Sequence, residues 1–229
     1  MTDPKPTAAH TRRATRAVES FRTAAECIGP VVRDLSVFAI TRGQFSMVDA
    51  LLHVLDQVGP ARVSVWTWAI AEFEVDSMRR LARDGRLIGE TLLVMDGRRT
   101  RMTGYSQAIE AEWRQSFGPN SIRLCHNHAK VATVEGLPTA DGPGLRVLLR
   151  GSMNLNQNPR FEQLDVSEGG PAFDLVREIE AELPVLSAPS NADLTAATRL
   201  DEAHGPETLE LFGLGGASRF GGGIKTWGK

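Results

Sequence analysis

The stretch LCHNHAKVATVEG, residues 124–136, sets His126, His128 and Lys130 on alternate positions. In an extended strand alternate side chains share a face. Two imidazoles and an ammonium would then line one side, with Cys125, Asn127, Ala129 and Val131 on the other. Burying such a row without partners is costly, so the face is solvated, holds a metal, or meets an anion such as a phosphate. Further on, RGSMNLNQNPRFEQLD (150–165) adds Gly151, Ser152, Asn154 and Glu162. Together these residues suit phosphodiester transfer. An imidazole nitrogen can attack phosphorus and form a covalent intermediate. The Lys130 ammonium neutralises charge on the phosphoryl oxygens, and the Asn154 amide and Ser152 hydroxyl donate hydrogen bonds to them. Gly151 lets the backbone approach a phosphate closely. Glu162 can bind the far nitrogen of a histidine, fixing its tautomer and stabilising the imidazolium. Side chains supply the cations and donors, so the reading requires no metal and no other cofactor.

HAKVATVE followed by GSMN resembles the phospholipase D superfamily, whose motif is H-x-K-x4-D and then G-S-x-N. The resemblance implies His128 as nucleophile, Lys130 and Asn154 as phosphate-binding groups, Ser152 as their support, and Glu162 as the downstream carboxylate that orients a histidine. Glu135 stands where the family has Asp, at a position whose role there is mainly structural. The interval between Lys130 and Gly151 is longer than in compact members, and GLPTADGPG (136–144) reads as an extended hairpin tip that absorbs the difference. A single motif implies a homodimer, with one His128 attacking phosphorus and its symmetry mate protonating the leaving oxygen. Short single-motif members resemble bacterial endonucleases more than lipases. The expectation is a metal-independent phosphodiesterase, a nuclease acting on DNA or RNA through a phosphohistidine. Two rivals stand beside it. One is a binding or assembly protein that keeps the fold without turnover, as in a phage particle or a DNA-processing complex. The other is a phospholipase or other small-substrate phosphodiesterase, whose lipid version lacks an amphipathic helix with a basic face.

Several further residues have more than one reading. His126 supports the same face, is solvated, or joins His128 as a metal ligand, since His-x-His on a strand can chelate a transition metal. Arg98, Arg99 and Arg101, in GRRTRMTG (97–104), follow a nucleic-acid backbone or form a solvated loop. Arg160 is a further phosphate-contact candidate. Trp66 and Trp68 share a strand face, where core packing is favoured over base stacking. His53 in a helix and His10 and His204 in the tails read as exposed or locally satisfied.

The elements that must position these groups alternate. Strands are expected at 35–40, 62–70, 89–96, 121–136, 145–154 and 161–168, and helices at 46–58, 74–85, 104–118 and 171–183. Ser46 with Asp49 caps the first of these helices, and Pro171 starts the last. The fold class is α/β: a mixed β-sheet with helices on both faces, phospholipase D-like, over residues 31–186. Residues 1–30 are expected to be a polar and helical N-terminal appendage, with a helix near RRATRAVESFRTAAECI. Residues 187–229 are expected to be a flexible Gly-rich C-terminal tail, with apolar anchors that suit docking on another protein. The 229 residues are 41% hydrophobic and 24% charged, an ordinary globular balance, with a net charge of -2. Nucleic acid would therefore have to meet a local basic patch. Two distant cysteines, no secretory h-region and no apolar run of ~18 residues point to a cytoplasmic setting, with a phage or prophage association belonging to the assembly rival.

Overall fold

A computed structural model describes residues 14–19, 23–68, 70–96, 104–140, 142–155 and 160–185. The C-terminal tail 187–229, the arginines at 98, 99 and 101, and His10 and His204 lie outside them. Eight strands are described: β1 (Ala14–Glu19), β2 (Leu35–Thr41), β3 (Ala61–Thr67), β4 (Leu92–Asp96), β5 (Ile122–Cys125), β6 (Lys130–Gly136), β7 (Arg146–Gly151) and β8 (Glu162–Glu168). Five helices accompany them: α1 (Ala24–Ile28), α2 (Met47–Val58), α3 (Glu72–Arg83), α4 (Gly104–Phe117) and α5 (Pro171–Glu182). The strands form one sheet in the order β1-β2-β8-β7-β6-β3-β4-β5. It is mixed: β1–β2, β3–β4 and β4–β5 pair parallel, and β2–β8, β8–β7, β7–β6 and β6–β3 antiparallel.

Both faces of the sheet are covered. Val63 and Val65 of β3, Ala132 and Val134 of β6, and Val147 and Leu149 of β7 join the main core, with Leu51 and Leu55 of α2, Met78 of α3 and Trp113 of α4. Side chains alternate along a strand, so Ser64 and Trp66 point to the opposite face, where α5 lies. Buried Glu180 of α5 accepts hydrogen bonds there from the Ser64 hydroxyl and from Trp66 Nε1 (2.7 Å), and pairs with Arg177 Nη1 at 2.7 Å. A buried carboxylate with three partners fixes α5 in place, since leaving it unpaired would cost more than the bonds themselves return. The α2 start follows its capping box: Ser46 N donates to Asp49 Oδ2 at 2.7 Å, and Asp49 N donates to Ser46 Oγ at 3.2 Å.

Two expected elements differ. The long strand over 121–136 is two strands, β5 and β6, because their neighbours differ: β5 pairs with β4 at the sheet edge, while β6 lies between β3 and β7. The chain crosses three strand positions in between, about 14 Å at ~4.8 Å each. Five Cα steps, ~17 Å at full extension, just suffice. The expected helix over 12–28 also divides. Ala14–Glu19 pairs in parallel with β2, from Ala14 opposite Leu35 to Glu19 opposite Ile40, and only Ala24–Ile28 is helical. The unpaired backbone groups on the outer side of β2 offer ladder partners, and local helical preference is too weak to compete.

The packing of α4 yields a prediction. Glu110 is buried with no hydrogen-bond partner for Oε1, and its pKa is pushed up to about 7 by burial, against the pull of Arg114 at 3.8 Å. Between its ordinary 4.5 and about 7 the folded chain binds more proton than the unfolded one. Stability therefore falls as pH rises through that window and is constant above it. Glu110→Gln is expected to raise stability by about 1–3 kcal/mol at pH 8, shrinking below about 1 kcal/mol at pH 5. Urea unfolding of both proteins at the two pH values checks this; an equal difference at each pH would refute it.

Candidate active site

The C-terminal ends of β2, β3, β4 and β7 and the N-terminal ends of β6 and β8 lie at one end of the sheet. That end is where open α/β sheets place their ligands. Register brings the motif residues together: Lys130 lies opposite Gly151, Gly151 opposite Leu164, and Thr41 opposite Glu162. Lys130 and Glu162 consequently share the face of the main core, two strands apart.

Lys130 starts β6, and its side chain is buried. Its Nζ donates to the His128 carbonyl at 2.7 Å and lies 3.1 and 3.3 Å from Nδ1 and Nε2 of the same residue. Burial lowers its pKa below the ordinary lysine value, and the negative charge of Glu162 opposes that shift. His128 is solvent-exposed, and its ring tilts against Trp68 at 5.9 Å between centroids.

Asn127 positions this pair. It is 3% exposed; its Nδ2 donates to the Thr67 carbonyl (3.1 Å) and the Val94 carbonyl (3.3 Å), and its Oδ1 accepts from Ala129 N at 2.8 Å. One amide thus ties the crossing segment to the end of β3 and to β4. The sequence carried a signal for it, since Asn is depleted in strands and here interrupts a run otherwise read as one. His126 is on this crossing, exposed, and does not share a strand face with His128. The alternate spacing of His126, His128 and Lys130 is therefore not a strand rhythm.

On the next strands the Ser152 hydroxyl donates to Glu162 Oε2, Gln163 N donates to Ser152 Oγ at 2.9 Å, and Ser152 N donates to the Gln163 carbonyl at 3.1 Å. Within one chain Glu162 thus holds Ser152, and His128 is oriented by Lys130 and Trp68. Gly151 has a packing reason: a Cβ there would lie 2.1 Å from the Gln163 carbonyl oxygen, which β8 presents to it. Asn154 sits between buried Met153 and Leu155. Met153 Sδ is 3.9 Å from Thr41 Oγ1, and the Leu155 carbonyl accepts from Val48 N in the first turn of α2 at 3.4 Å. Those anchors hold Asn154 Oδ1 buried with no hydrogen-bond partner. Arg160 is exposed just ahead of β8. Glu135 is elsewhere. It lies opposite Arg62 and Arg146, five residues along β6 from Lys130 and ~17 Å away.

Among the described residues no three His, Cys, Asp or Glu side chains are grouped to hold a metal ion, and no helix is long and apolar enough to cross a membrane. His53 is satisfied locally, with Nε2 2.8 Å from the Gly29 carbonyl and 2.7 Å from Gln57 Nε2.

No family model and no curated protein matches the sequence. Among solved structures the chain is similar to polyphosphate kinase from Porphyromonas gingivalis, with 12% identity, a TM-score of 0.48, and coverage of 69% of this chain and 26% of that one. It is also similar to NucT from Helicobacter pylori, with 12% identity, a TM-score of 0.41, and coverage of 65% of this chain and 95% of that one. The chain thus spans about a quarter of the polyphosphate kinase. In the chain's own residues, Lys130 at the start of β6 pairs with Gly151 at the end of β7, so the H-x-K and G-S-x-N segments meet at one end of a mixed sheet covered by helices on both faces.

Proposed function

We propose that the chain is a metal-independent phosphodiesterase of the phospholipase D type, acting on nucleic acid as a homodimer. The observation that carries this reading is the buried Lys130 ammonium, 3.1 Å from the exposed His128 ring, with Ser152 at the end of the adjacent strand and Glu162 two strands away. The unprotonated nitrogen of His128 attacks phosphorus, and the bond to the leaving oxygen breaks as that oxygen takes a proton from His128 of a second copy. Water then attacks the phosphohistidine, giving its proton back to His128 of the second copy as the P–N bond breaks, which returns both histidines to their starting state. Lys130 and Asn154 stabilise the charge that builds on the phosphoryl oxygens, with Ser152, held by Glu162, as their support. Cys27 and Cys125 are thiols rather than a disulfide, which suits the reducing, cytoplasmic location that belongs to this reading.

One observation favours a second reading. Within one chain Glu162 is engaged by Ser152 rather than by a histidine, and a site left so would bind an anion without turning it over. Cleavage of single- and double-stranded DNA, RNA and a chromogenic phosphodiester in excess EDTA separates the two. Turnover is expected to survive EDTA and to fall by at least about 10^3-fold in His128→Ala. No turnover on any substrate by the folded protein would favour the binding protein.

A further inference from the structure

Phe161 is 69% exposed, immediately before the buried Glu162. The ladder that pairs Thr41 with Glu162 places Arg42 opposite Phe161 one step further out, and the Arg42 guanidinium carbon lies over the ring at 5.3 Å from its centroid. Arg160 is exposed beside it. The ring is thus a fixed apolar surface with a cation on it and another next to it, two strands, about 10 Å, from the strand that bears Lys130. Phe73, 73% exposed in the first turn of α3, lies at the same end of the sheet. These are the two most exposed large apolar side chains among the described residues. Neither completes a core, and a net charge of -2 gives the chain no general attraction for a polyanion. Aromatic faces interleaved with arginine are the chemistry that holds unpaired bases, because every base has a face to stack and a cation tracks its phosphate.

We infer that Phe161, backed by Arg42, is a base-stacking platform at the mouth of the site, and that the substrate is a single-stranded polynucleotide. The inference rests on the phosphodiesterase reading and narrows it. A duplex keeps its bases stacked inside and offers Phe161 no face, whereas a single strand can lay one base on the ring while its backbone runs past Arg160 toward Lys130.

The test is equilibrium binding of fluorescent single-stranded oligonucleotides, the same strands with abasic positions, and duplexes, to full-length chains carrying His128→Ala so that nothing is cut. Phe161→Ala is expected to weaken single-strand binding about 5- to 100-fold and to leave duplex binding nearly unchanged. Phe161→Trp should restore binding, and abasic strands should bind both forms equally poorly. Unchanged single-strand affinity, or equal losses on single strand and duplex, would overturn the platform. So would dissociation to monomers in sedimentation, which would make Phe161 a contact between copies. The two readings fail separately. Base-dependent binding without turnover by the unmodified chain would leave the platform and remove the phosphodiesterase. Turnover with no dependence on Phe161 would do the reverse.

Discussion

Lys130→Met is expected to lower phosphodiester cleavage by about 10^2- to 10^3-fold, the size of effect seen when one preorganised charge-stabilising donor is removed, without loss of fold. The methionine keeps most of the buried stem and discards the ammonium, whose burial is costly. Folding stability should therefore equal or exceed that of the unmodified chain at neutral pH. The pH dependence carries a second signature. Burial holds the Lys130 pKa below its ordinary 10.5, with Glu162 opposing. The ammonium is accordingly lost at a lower pH than in an ordinary lysine, and kcat should decline on the alkaline side below that value. In the interval between the lowered pKa and 10.5 the folded state binds less proton than the unfolded one, so stability rises with pH there and any advantage of the methionine variant shrinks. Steady-state rates across pH and urea unfolding at neutral and alkaline pH check both halves. A variant that unfolds, or one that cleaves normally, would remove Lys130 from the role proposed for it.

Asn127→Ala is the change expected to cost most in stability, about 3 kcal/mol, because three hydrogen bonds are lost and the Thr67 and Val94 carbonyls lose their side-chain partner at the buried strand ends. For a chain of this size that corresponds to roughly 6–12 °C in Tm. Activity should fall further, by about 10^2-fold at temperatures where the variant is folded, since the crossing that carries His128 loses its anchor and small misplacements are costly. Asn127→Asp should be worse than alanine: its carboxylate can still accept from Ala129 N but cannot donate to the two carbonyls, and it brings a charge to a buried site. Calorimetry on the three proteins orders them; an aspartate variant as stable as the unmodified chain would refute the anchoring role.

Elements with a strong local signature were readable directly. The Ser46/Asp49 box, the apolar spacing of Val48, Leu51 and Leu55, and the stop at Gly59 place α2 within a residue of its observed bounds. Pro171 marks the start of α5, and LSVFAI marks β2, for equally local reasons. The candidate site residues were legible for a related reason. His128, Lys130, Ser152 and Asn154 are polar groups of known reactivity at short spacings, and strand pairing had only to bring two segments side by side. His126 fails that criterion, because its apparent partnership with His128 depended on a strand that does not exist there.

Sheet order is a contest among all strands for neighbours, and local preference does not enter it. Nothing within residues 121–136 says that β5 belongs beside β4 and β6 beside β3, yet that choice breaks the run at 126–129 and turns Asn127 from a strand residue into the anchor of the site. The same contest draws Ala14–Glu19 into the sheet against a helical pattern. It sets Glu162 on Ser152 rather than on a histidine of its own chain, gives Gly151 the Gln163 carbonyl as its neighbour, and carries Phe161 to Arg42 at the mouth of the site. The residue types and their short-range order prescribed which chemistry the chain can attempt and where its helices begin. Which of those groups meet, and what holds them there, followed from backbone pairing between strands, whose partners lie from about a dozen residues to more than a hundred apart along the chain.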